Sequence, residues 1–141
     1  MSVTVTVVAP APPARVWDLW TDFAAWPEWH PHCVEAATDG PVAPGTRLDL
    51  HMRDAKGRDF YTRPALTVVE PERELVWEAR GLGLRARTRT ALSPEPDGTR
   101  VTIEAVATGP MAFAYRMTMT DRSQALIYVA VLDALTTRVR P

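Results

Sequence analysis

The sequence predicts an α+β domain in which a curved antiparallel sheet of about seven strands wraps a long C-terminal helix. Three observations predict it. After Gly109-Pro110 no glycine or proline interrupts the chain until Pro141, and apolar residues from Met111 and Phe113 to Leu135 and Val139 recur at three- and four-residue steps. Most of the chain before it alternates apolar and polar residues in short runs separated by turn residues. Two short helical patterns follow the first of those runs. A lone amphipathic helix is marginal in water, so the C-terminal one is expected against the sheet, with any ligand between the two.

In order, Val3, Val5 and Val7 alternate with Thr4, Thr6 and Val8 as a strand, which Pro10, Pro12 and Pro13 end. Pro13 suits a first helical turn, and Val16, Trp17, Leu19, Trp20 and Phe23 follow at helical spacing. That helix ends near Trp26-Pro27, where a second short helix or turn carries Glu28-Trp29-His30 into Pro31. Residues 32–39 read as a strand. Leu48, Leu50 and Met52 make the inward phase of the next, closed by a hairpin turn at Asp54-Ala55-Lys56-Gly57. Residues 59–70 read as one strand, with Pro64 marking a bulge or an edge. Further strands are read at 75–79, 84–92 and 99–108. The terminal helix is read as one rod, bending most cheaply at Asp121-Arg122-Ser123-Gln124.

Bulk properties bound the function. One domain, residues 1–141, is expected from 141 residues. Sixteen basic and seventeen acidic side chains leave a formal charge of −1, no footprint for nucleic acid or an anionic membrane. Cys33 is the one cysteine, so no internal disulfide is possible. No signal-peptide pattern or bilayer-spanning run is seen, which predicts a cytoplasmic protein without membrane insertion. There is no phosphate, nicotinamide, flavin or serine-nucleophile motif; Gly81-Leu82-Gly83 lies between strands, not before a helix.

Trp20-Thr21-Asp22-Phe23 followed by Trp26-Pro27-Glu28-Trp29-His30-Pro31, the Val68-Val69-Glu70-Pro71 corner leading to Leu75-Val76-Trp77, Asp97-Gly98-Thr99 before the last strand, and Gly109-Pro110 before the terminal helix carry a resemblance. With these features the chain resembles, over nearly its whole length, the START-like (SRPBCC) helix-grip superfamily, most of all its polyketide cyclase/dehydrase-like branch. The resemblance implies a helix-grip fold whose sheet and long helix enclose an apolar cavity for a small hydrophobic molecule. Fold alone does not fix function, since the superfamily spans cyclases, carriers, receptors and chaperone-activating domains.

The inward phase then supplies candidates. Leu50, Met52, Leu66 and Val68, Trp77, and Thr88 and Thr90 are expected to line the cavity, leaving Arg85, Arg87 and Arg89 outside unless a bulge at Gly83 shifts the register. The facing of Tyr61 and Arg63 depends on Pro64; turned inward, Tyr61 would donate a proton and Arg63 would stabilise an enolate. His32 is a candidate acid or base, His30 a loop brace, and His51 a solvated residue. Trp17 and Trp20 read as core, Trp29 as a cavity lid. On the long helix Tyr115, Met119, Ser123, Ile127 and Ala130 share a stripe, with Tyr115 as a polar hydroxyl and Met119 as soft wall. Cys33 reads as a small buried apolar residue.

The expectation is therefore cyclisation, aromatisation or dehydration of a polyketide-like metabolite, with Tyr61, Arg63, His32 and Tyr115 as catalytic candidates and no metal or cofactor called for. A carrier or sensor of a lipid- or quinone-like molecule is the alternative, and a protein-interaction module the third. The oligomeric state is open, a homodimer included.

Overall fold

The computed structural model describes residues 2–140 and, at Thr118, the backbone alone; Met1 and Pro141, the ends of the expected domain, lie outside the described residues. Strand β1 (Ser2–Ala9) leads into helix α1 (Pro13–Thr21) and a 3₁₀ turn (Phe23–Glu28). There follow β2 (Cys33–Thr38), β3 (Leu48–Arg53), β4 (Asp59–Thr62), β5 (Ala65–Glu70), β6 (Glu74–Gly81), β7 (Leu84–Glu95) and β8 (Gly98–Thr108). Helices α2 (Ala112–Thr118) and α3 (Asp121–Val139) end the chain. The strand order is β1-β8-β7-β6-β5 in one sheet and β2-β3-β4 in the other, every pair antiparallel. This is the helix-grip arrangement, with eight strands rather than about seven.

The extra strand comes from Pro64, which has no N–H to give and divides the 59–70 run into β4 and β5. The two sheets stay joined there: Leu48 N–H donates to the Pro64 carbonyl at 2.9 Å and Leu66 N–H to that of Thr46 at 2.8 Å. The bulge lies later, between Leu66 and Val68. It turns Val68, expected inward, to the outer face opposite Val76, and brings Val69 round to the core beside Leu75.

The terminal helix is broken rather than merely bent. Thr120 is extended, and its hydroxyl accepts from the Ser123 N–H at 3.1 Å, an N-cap that starts α3 afresh with Asp121 in its first turn. Ahead of it, Gly109 adopts φ +103°, and a side chain there would begin 2.5 Å from the Gly83 carbonyl oxygen. That close approach lets the Met111 N–H bond the Gly83 carbonyl at 2.8 Å, seating α2 on the β6–β7 turn.

The core lies between α3, α1 and the concave face. Val131, Leu132, Leu135 and Val139 of α3 meet Val16 and Trp17 of α1 and Leu75, Leu92, Val101 and Ile103 of the sheet. Arg15 ties α1 to the end of α3 by donating to the Val139 carbonyl at 3.2 Å. Among the described residues, no helix is long and apolar enough to cross a membrane.

Candidate functional site

Paired residues on β6, β7 and β8 show where the core gives out. Going along the concave face, one row is Leu92 opposite Val101, the next Leu75, Thr90 and Ile103, then Trp77, Thr88 and Ala105, then Ala79, Ala86 and Ala107. Large aliphatic side chains give way to alanines. Over the alanine end lies a cavity of about 640 Å³, within the range of small-molecule sites, roughly 300–1,000 Å³. Trp20, Trp26 and Trp77 form one wall, Leu50, Met52, Phe60 and Thr62 of β3 and β4 another, and Tyr115, Met119, Ile127 and Tyr128 of the helices a third.

Of the residues read from sequence, Leu50, Met52, Trp77, Thr88, Tyr115 and Met119 lie on this wall. Tyr61 reaches only its rim. The β3–β4 register sets Tyr61 opposite His51 on the outer face, where the rings stack at 4.3 Å and Tyr61 is 74% exposed. Arg63 shares that outward phase and pairs with Asp49. Pro64 does not flip them, because the bulge lies beyond Leu66. His51, read as solvated, is half-buried there, 3.5 Å from Asp59. His32 is off the wall as well, its Nδ1 2.8 Å from the Arg53 carbonyl.

Leu66 and Thr90 face inward but lie in the packed rows, each about 1% exposed, and the Thr90 hydroxyl is buried without a partner among the described residues. Trp29 is off the cavity wall and packs on Trp20 and Trp26 at 6.2 and 6.3 Å. Trp20, read as core, is both core and wall. The β6–β7 register runs unbroken to Gly81 opposite Leu84, so the three arginines stay in the outward phase, although Arg87 also borders the cavity. Arg85 and Arg89 donate to Glu78 and Glu74 at 2.7 and 2.6 Å, and Arg85 holds the Glu78 carboxyl below its usual range.

Sequence reasoning missed the polar corner. Gln124 donates to the Tyr115 hydroxyl at 2.8 Å, and Tyr128 and Thr88 lie on the same stretch of wall. Burial pushes the Tyr128 hydroxyl up to about 12 and raises that of Tyr115 as well. Both phenols are thus neutral donors in an apolar setting. Tyr128 was legible only to a reader who reset the helical phase at Thr120, which moves the inward stripe to Gln124, Ile127, Tyr128 and Val131.

His30 was missed in part. It does brace its loop: its N–H donates to the Trp26 carbonyl at 2.8 Å, its carbonyl accepts from Cys33 at 3.2 Å, and its Nδ1 accepts from the His32 N–H at 3.1 Å. Yet the ring also lines the cavity, 5% exposed and 5.1 Å from the Trp26 ring. Desolvation, then the neighbouring His32, lowers it to about 3.

At the mouth, Asp54 accepts from the Arg58 and Lys56 N–H groups at 2.9 Å and from Arg58 Nε at 2.8 Å, bonds that hold its carboxyl below the usual range. Burial pushes the Cys33 thiol up to about 11, away from nucleophilic use. Among the described residues no three His, Cys, Asp or Glu side chains converge as metal ligands would.

Comparison with known proteins adds the lineage. The model of the family described as polyketide cyclase/dehydrase and lipid transport matches residues 1–140. The chain belongs to that family. Comparison with curated proteins found no match. Among solved structures, the fold is similar to the di-domain ARO/CYC BexL from the BE-7585A biosynthetic pathway, at TM-score 0.82 and 23% identity, covering 100% of this chain and 51% of that one. It is similar to the di-domain ARO/CYC StfQ from the steffimycin pathway, at TM-score 0.78 and 13% identity over 96% and 49% of the two chains. A protein of Thermus thermophilus gives TM-score 0.80 and 18% identity over 99% and 97%. This family member therefore spans about half the length of the two di-domain chains.

Proposed function

We propose that the protein binds a small hydrophobic, polyketide-like metabolite in this cavity and promotes its cyclisation, aromatisation or dehydration. The observation that carries the reading is the hydroxyl corner: Tyr115, Tyr128, Thr88 and Gln124 meet inside an otherwise apolar wall. In an aldol ring closure an enol carbon attacks a carbonyl carbon. The enol oxygen becomes a carbonyl and releases its proton, while the attacked carbonyl oxygen takes up charge and then a proton, so the step is proton-neutral overall. A phenol kept protonated by burial donates a hydrogen bond to that oxygen while the charge develops. The curved apolar wall folds the flexible chain so that the reacting atoms meet. In this version Arg63 and His32 take no part. Family membership and the likeness to halves of two ARO/CYC chains support the reading. Incubating a linear poly-β-ketone with the protein is expected to change the distribution of cyclised products, and Tyr128→Phe to slow that change by about 10²-fold. A distribution the same with and without protein removes the enzymatic claim.

One observation favours a second reading, a carrier or sensor of a lipid- or quinone-like ligand. The Tyr115 and Tyr128 phenols and the His30 imidazole on this wall are all held neutral by burial. Recovery of a bound ligand chemically unchanged after prolonged incubation distinguishes the two.

A further inference from the structure

His30 has two ring nitrogens with separate duties. Nδ1 accepts a hydrogen bond from the His32 N–H, so the single proton of the neutral ring sits on Nε2. The Trp26 carbonyl holds the backbone at His30, and ring contacts with Trp26 and Trp29 hold the imidazole in place. The ring lines the cavity, and Nε2 has no hydrogen-bond partner among the described residues. Nε2 is not fully enclosed by protein atoms, which leaves its N–H free to meet an acceptor in the space the ring lines.

We infer that Nε2–H of His30 is a hydrogen-bond donor to the ligand, and that the ligand is a planar ring system carrying a carbonyl oxygen at that end. This rests on the proposed reading that the cavity takes a small apolar molecule. The planarity follows from the setting: the indoles of Trp20, Trp26 and Trp77 all line the cavity around His30. The neutral acceptor follows from charge. The lining cations Arg58, Arg80 and Arg87 are solvent-exposed, and Arg58 is paired with Asp54. A carboxylate or phenolate beside His30 would lose its water and gain no counter-charge, whereas a carbonyl oxygen needs one donor only. The imidazole stays an uncharged donor from mildly acidic pH upward, because burial disfavours its cation. It polarises the carbonyl without transferring a proton, as a neutral histidine can.

The probes are 2-acetylnaphthalene, with a ¹³C-labelled carbonyl, and 2-ethylnaphthalene, the same ring without the oxygen. Calorimetry reads affinity, and infrared difference spectroscopy reads the carbonyl stretch of the bound ketone. In the wild type the stretch is expected below its value in hexane, and ¹⁵N spectra are expected to show the Nε2–H tautomer shifting on addition of the ketone alone. His30→Phe is expected to weaken the ketone about three- to tenfold more than it weakens 2-ethylnaphthalene. A stretch at the hexane position, or equal losses for both probes, overturns the donor and leaves His30 a loop brace; 2-ethylnaphthalene binding would then still support the cavity. If neither probe binds, the cavity reading falls and the donor with it. The infrared and ¹⁵N measurements on the wild type decide the matter even where His30→Phe fails to fold.

Discussion

At one end of the concave face, Leu75, Leu92, Val101 and Ile103 interlock with Leu132, Leu135 and Val139 under α1. At the other, Ala79, Ala86, Ala105 and Ala107 face Tyr115 and Tyr128 across open space. Backbone, register and strand identity are the same at both ends; only side-chain volume and the helix overhead differ. The first end makes stability, since close-packed aliphatic groups carry most of the favourable term in folding. The second forgoes part of that term and keeps a wall of neutral donors in reserve. The cavity is made here by alanines on the inward phase rather than by any departure from regular structure.

The sharpest break is in the packed end. Leu135→Ala removes a fully buried side chain and is expected to cost roughly 2–5 kcal/mol, read by chemical denaturation, while affinity for 2-ethylnaphthalene in the folded fraction is retained. Next comes acid. His30 is lowered from 6.5 to about 3 in the folded state, so between those values the unfolded chain binds the extra proton. Its contribution is fully present above about pH 6.5 and is lost as pH falls toward 3, at roughly 1.4 kcal/mol per pH unit. Denaturation at pH 7 and pH 4.5 is expected to show the wild type losing roughly 2–3 kcal/mol more than His30→Phe; equal losses would mean the ring is hydrated after all.

A smaller effect in energy is more telling. Ala86→Leu fills the hollow end and is expected to change stability by less than about 1 kcal/mol while weakening 2-ethylnaphthalene at least about tenfold. A penalty of several kcal/mol would instead show that the space was already taken. The smallest effect belongs to Arg63→Ala. Its ion pair with Asp49 is exposed, so stability is expected to move by roughly 0–1 kcal/mol and probe affinity not at all.

The strands were legible because alternation survives in Leu48-Asp49-Leu50-His51-Met52 and in the residues after Leu84, and the inward phase of Thr88 and Thr90 followed from it. Depth along the strand was not legible. Thr88 and Thr90 face the same way, yet one lines the cavity and the other is sealed in the core, a difference set by which helix lies above. The bulge after Leu66 bears no glycine or proline to announce it, so Val68 read as inward. The cap at Thr120 hid in a run that otherwise reads as helix, and with it went the phase that brings Tyr128 to the wall. His30 read as a brace because the spacing marks a short helix or turn ahead of it without showing that its ring borders the cavity.

Trp20, Trp26, Trp29 and Trp77 form one continuous set of ring contacts, with Trp20 and Trp26 5.0 Å apart and Trp20 stacked on Trp77 at 6.2 Å. Excitation of any one of them therefore migrates through the group, and three of the four border the cavity. A conjugated molecule bound against these indoles would dim their ultraviolet emission in proportion to occupancy, an optical gauge that would let compound libraries be screened without labelling either partner.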